Sequence, residues 1–98
     1  MKLLLPKPSI NLRMWMRRTG YAEVPGAKGV TSYAKRVHTT PFPRYHCYIE
    51  DLGQEWTINL HLDMKAPTYE GSRAHSGEYE GPLIEQEAQR LFRISQGN

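Results

Sequence analysis

The chain has 98 residues, 23% of them charged and 39% hydrophobic, the size and composition of one globular domain rather than of a disordered segment. Cys47 is the only cysteine, which excludes an intrachain disulfide and a cysteine-based metal finger. The net charge of +3 hides an asymmetry: residues 1–46 carry nine Lys/Arg and one acid, a net +8, whereas residues 47–98 carry four Lys/Arg and nine acids, a net −5.

The apolar run Leu3-Leu4-Leu5 stops at Pro6, far short of the ~7–15 residues of a secretory signal. No segment approaches the ~18 apolar residues of a membrane span, so the expected location is cytoplasmic, with no membrane partner. Pro6 and Pro8 make residues 1–8 an extended lead-in to a single domain covering residues 1–98. Ser9 is placed to cap a helix over Ile10–Thr19, with Gly20 as its stop. Leu12, Trp15, Met16 and Thr19 share the expected core face of that helix. Arg13, Arg17 and Arg18 lie opposite, with Ile10 and Met14 among them, two apolar residues that point to a second contact surface with another protein.

Tyr21–Val24 reads as a short strand closed by Pro25-Gly26, and Val30–Val37 as a second strand. Residues 39–43 hold two prolines and must connect rather than pair. The strongest pattern is a hairpin over Arg44–Asp63. Tyr45, Cys47 and Ile49 alternate with Arg44, His46, Tyr48 and Glu50, and Trp56, Ile58, Leu60 and Leu62 alternate with Thr57, Asn59, His61 and Asp63. A four-residue turn over Asp51–Gln54 pairs Ile49 with Trp56 and sets His46 opposite Asn59, diagonal to His61. Residues 64–81 have no apolar period and read as one long loop. Pro82 opens a final helix whose buried stripe is Ile84, Ala88 and Leu91, joined by Leu83 and Phe92. The expected fold is α+β: a three- to four-stranded antiparallel sheet with the N-terminal and C-terminal helices packed on one face and the other face open and polar. Val30–Val37, taken as an edge strand, is open to pairing with a second copy, which allows a homodimer.

Three constellations could carry chemistry. On the open hairpin face, His46, His61 and Asp63 point the same way, and two imidazoles with a carboxylate suit a divalent metal such as zinc, or acid–base work. In the loop, His75 and Glu78 lie beside Gly71 and Gly77 and are candidates to complete that metal set. His61, Asp63 and His75 are then the catalytic candidates of a metal-dependent hydrolase, whereas Ser76 lacks a third group to orient its neighbour His75. The basic half offers Arg13, Arg17, Arg18, Lys35, Arg36 and Arg44, with Lys28 and two tyrosines between them, as a surface for RNA or single-stranded DNA. A nucleic-acid-binding module working through the basic helix is the leading expectation.

The segments Met16-Arg17-Arg18-Thr19-Gly20-Tyr21, Pro43-Arg44-Tyr45-His46, Asn59-Leu60-His61-Leu62-Asp63-Met64-Lys65 and Ala74-His75-Ser76-Gly77-Glu78-Tyr79 resemble those of short uncharacterised bacterial proteins. That resemblance implies no activity and carries over no catalytic residue. The helix–strands–helix order also resembles double-stranded-RNA-binding domains and the messenger-RNA-cleaving toxins built on that fold. Two features depart from them. The last helix begins Pro82-Leu83-Ile84-Glu85-Gln86-Glu87, acidic where that family sets lysines against phosphate, and the toxins' Gly-Ser-His segment has no counterpart at Gly29-Val30-Thr31-Ser32.

Overall fold

The strongest period-two segment forms the middle of the molecule. In the computed structural model, which describes residues 1–26, 29–64, 77–78 and 81–97, Arg44–Asp51 (β4) and Glu55–Asp63 (β5) make an antiparallel hairpin. Lys2–Pro6 (β1) pairs with the outer edge of β5, and Thr31–Arg36 (β3) and then Ala22–Pro25 (β2) extend the sheet beyond β4. The order is β1-β5-β4-β3-β2, antiparallel throughout, and a two-residue strand at Gly77–Glu78 (β6) adds to β5 on the β1 side. Two helices complete the α+β fold, Leu12–Arg18 (α1) and Pro82–Gly97 (α2).

Strand alternation separates the two faces. Leu5, Tyr33, Tyr45, Cys47, Trp56, Ile58, Leu60 and Leu62 are buried in one cluster with Trp15 and Met16 of α1 and Ile84, Ala88 and Leu91 of α2. Trp15 meets Trp56 edge-on with ring centres 5.7 Å apart, a geometry that the ring quadrupoles favour. Among the described residues no helix is long and apolar enough to cross a membrane.

Several expectations need correction. The sheet has five main strands rather than three or four, because residues 1–8 are not merely a lead-in: Leu3-Leu4-Leu5 is an edge strand, with Leu5 buried and Leu4 54% exposed on the opposite face. β3 is not an edge, since β2 and β4 flank it on both sides. The α1 cap is Asn11, whose side chain accepts from the Met14 N–H at 2.9 Å, in place of Ser9. Ile10 packs partly against the core, leaving Met14 the exposed one of that pair. Leu83 and Phe92 are exposed and do not join the α2 stripe, while Glu87 is buried in it.

The hairpin turn decides the register. Leu52 donates its N–H to the Glu55 carbonyl at 2.8 Å, so the loop proper is only Gly53-Gln54. Gly53 has φ +103°, and a glycine with positive φ at the first of two loop positions matches the twist of the flanking strands. The pairing is therefore offset by two residues from that of a four-residue turn. Ile49 lies opposite Ile58, His46 opposite His61, and Arg44 opposite Asp63. An offset of two preserves every side chain's face, which is why the faces were predictable and the neighbours were not.

Candidate functional site

The observed register sets His46 and His61 directly across from each other on the polar face, with Asp63 two residues further along β5. The Asp63 carboxylate receives one imidazole on each oxygen: His46 Nδ1 lies 3.1 Å from Oδ2 and His61 Nε2 lies 3.1 Å from Oδ1. Arg44 Nε donates to the same Oδ2 at 3.2 Å, while its guanidinium stacks 4.9 Å above the centre of the Phe42 ring. The imidazole centroids are 4.8 Å apart, and Tyr48 flanks both rings, nearly parallel to His61 at 6.3 Å. The side chains of His46, His61 and Asp63 are 12%, 14% and 17% exposed, sheltered yet reachable from solvent.

Burial alone pushes the Asp63 carboxyl toward its neutral form. Hydrogen bonds from His46 and His61, and the attraction of their rings, outweigh it and hold the group well below the usual carboxylate range. Asp63 is thus an anion wherever the protein is folded near neutrality. One donor atom from each of the three residues lies within 4.8 Å of the others, a spacing that one metal ion can bridge.

Ser32, which no sequence pattern singled out, completes the cluster. It sits on β3, 3% exposed, on the same face as His46, and its Oγ lies 2.7 Å from His46 Nε2. Its only sequence signal is parity: it alternates with Tyr33 and so shares the polar face, but the offset between β3 and β4 that makes it a neighbour of His46 is not written in either strand.

Of the other metal candidates, His75 lies outside the described residues, as does Lys28 among the cations. Glu78 takes a ladder position opposite Leu62, and Gly77 one opposite Asp63. The six cations proposed for nucleic acid do not gather on one surface. Arg13 is bound by Glu23 at 2.7 and 3.1 Å, and Lys35 lies over the Tyr45 ring at 5.3 Å on the helix side of the sheet. Arg36 bonds the Thr39 carbonyl at 3.2 Å, and Arg44 is engaged at Asp63. Arg17 and Arg18 remain exposed in the last turn of α1, Arg17 lining a surface cleft with Arg13, Tyr21 and Tyr33.

No protein-family model matches the chain, and no significantly similar curated protein or solved structure was found.

Proposed function

We propose that His46, His61 and Asp63 bind one divalent transition-metal ion, with zinc best suited to the donors, and that this face is a hydrolytic centre. The observation that carries the reading is the convergence of two cross-strand imidazoles on the two oxygens of one carboxylate, each at 3.1 Å. Two nitrogens and one oxygen suit zinc and its neighbours, whereas calcium and magnesium favour all-oxygen sites. Ligands around a four-coordinate zinc stand roughly 3.3 Å apart, given bonds of about 2.0–2.1 Å, so donors within 4.8 Å of one another would have to draw together on binding. Three protein ligands leave a position for water, as catalytic zinc sites do, and a metal of this kind makes bound water acidic enough to supply hydroxide near neutral pH. Asp63 would offset the metal's charge, and Arg44 holds the carboxylate at Oδ2. Glu78, paired opposite core-facing Leu62, has the register of the other face and is not among these ligands.

Elemental analysis of the purified protein and a zinc titration followed by imidazole NMR test this. One equivalent of metal, with the His46 and His61 signals moving together and His61→Ala abolishing uptake, is the expected result. Metal far below stoichiometry after titration, with those signals unmoved, removes the centre.

A second reading, RNA or single-stranded DNA bound along α1, is favoured by Arg17 and Arg18, which are exposed and in no ion pair among the described residues. Arg17→Glu with Arg18→Glu is expected to weaken binding at least tenfold at low salt, where phosphate contacts are strongest. Undetectable binding by the unmodified protein under those conditions eliminates it.

A further inference from the structure

We infer that Ser32 is a positioning residue of the metal centre: its buried hydroxyl holds His46 in the tautomer that presents Nδ1 to the ion. The inference rests on the metal reading above and names the group that orients one of its ligands.

The argument starts from proton counting. A serine hydroxyl has one proton to donate and two lone pairs to accept with, and a neutral imidazole carries its proton on one nitrogen only. Ser32 Oγ is 2.7 Å from His46 Nε2 and 3.4 Å from the Val24 carbonyl oxygen. Two arrangements satisfy these atoms. In the first, Ser32 donates to Nε2, and the Nδ1–H donates to Asp63 at 3.1 Å, which is the arrangement suited to the metal-free cluster. In the second, Ser32 turns its proton to the Val24 carbonyl and accepts the Nε2–H, which leaves the Nδ1 lone pair aimed at the space shared with Asp63 and His61. Only the second can ligate a metal through Nδ1. The Val24 carbonyl on the neighbouring strand is what makes it accessible, because it takes the serine proton that His46 can no longer accept.

Burial makes this hold strong. Ser32 is 3% exposed and the His46 side chain 12%, so little water competes for the hydroxyl, and rotation of the ring would give up the 2.7 Å contact to Nε2. Ligating histidines are commonly held in this way through their second nitrogen, and loss of such a partner typically weakens metal binding about 10–100-fold. The order Ser32–His46–Asp63 also follows the connectivity of a serine hydrolase triad. A nucleophile must reach its substrate, however, and a residue 3% exposed, second in β3 and paired with Val24 of β2, does not. Orientation is the role left to it.

The test compares the unmodified protein with Ser32→Ala and Ser32→Thr. Zinc affinity is measured by competition with a chelator, and the protonated nitrogen of His46 by 15N NMR of the zinc-loaded protein. Ser32→Ala is expected to lose 10–100-fold in zinc affinity. Ser32→Thr, which keeps the hydroxyl, is expected to recover most of it. In the unmodified protein the proton is expected on Nε2 with Nδ1 ligated. A protein that binds no zinc overturns the centre and this inference with it. Zinc bound through Nε2 of His46, or equal affinity in Ser32→Ala, overturns the inference alone. The nitrogen assignment in the unmodified protein decides the matter even if a variant fails to fold.

Discussion

Each side of the sheet is organised around one sheltered carboxylate, and the two differ in who donates to them. Glu87, on the helix side, is 4% exposed and accepts from the Tyr21 hydroxyl at 2.6 Å and from Arg90 at 2.8 and 2.9 Å. Arg90 also reaches the Thr19 carbonyl at 2.7 Å, so one carboxylate ties α2 to the end of α1 and the start of β2. Burial raises the Glu87 carboxyl, but Arg90 and Tyr21 more than compensate, and it stays below its usual value; burial and the Glu87 charge push the Tyr21 phenol well up. Near neutral pH that cluster holds an anionic Glu87 and a protonated Tyr21. Asp63, on the open face, accepts from Arg44 and from two imidazoles. An imidazole nitrogen can give up its proton and offer a lone pair instead. The comparison teaches that the identity of the donors, more than the depth of burial, separates a carboxylate that fastens two helices from one whose donors could become ligands in the proposed metal centre.

The comparison can be broken first at Glu87. Glu87→Ala leaves the Tyr21 hydroxyl and Arg90 without their acceptor, and urea denaturation is expected to show a loss of about 3 kcal/mol, near the low end for breaking a buried pair because Arg90 is partly exposed. Its zinc affinity should match that of the unmodified protein; a joint loss of stability and zinc binding would mean that the two faces are coupled. Asp63→Asn sharpens the contrast from the other side. Here zinc uptake should disappear while stability falls by about 2 kcal/mol, the worth of hydrogen bonds to a charged group whose donors keep some access to water.

Acid titration gives a smaller effect with a definite sign. The Glu87 carboxyl is below its ordinary 4.5 in the folded chain, so its stabilisation is complete above that value and drains away as pH falls toward the folded value. Unfolding free energy should decline as pH falls below about 5, and Glu87→Gln should flatten that slope. The smallest effect concerns Cys47, fully buried with its thiol pushed up to about 12. A thiol reagent should leave the native protein unlabelled and modify one group on unfolding, with Glu87→Ala reacting faster than Asp63→Asn in proportion to its lower stability.

Much of this was legible because alternation survives errors of pairing. His46, His61 and Asp63 were assignable to one polar face from period two alone, and Trp15, Met16, Ile84 and Leu91 to the core from helical spacing. Distances between strands were not legible. The four-residue reading of the turn put Asn59 where His61 belongs, since nothing before Gly53 reveals how tightly the chain reverses. β1 was hidden by its three consecutive leucines and nearby prolines, which look like a stretch without alternation although Leu4 faces away from Leu5. Glu87 and Ser32 were missed for one reason: a polar residue is buried when its partners come from distant segments, here Tyr21 and His46.

The tight turn at Gly53-Gln54 has a reach out of proportion to its size. It lies at the opposite end of the hairpin from the histidines, some seven residues away, roughly 23 Å along an extended strand. Yet it acts as the alignment key for them. A side chain at Gly53 meets no atom within 4 Å, so crowding is not the difficulty; the +103° backbone is, because residues with a Cβ resist it. Relief by way of a longer loop would slide one strand past the other by two positions, conserve every inward-facing contact type, and carry His46 away from His61 to Asn59. The product would be a well-packed protein with the ligands of the proposed metal centre drawn apart, a loss that leaves no mark at those residues themselves.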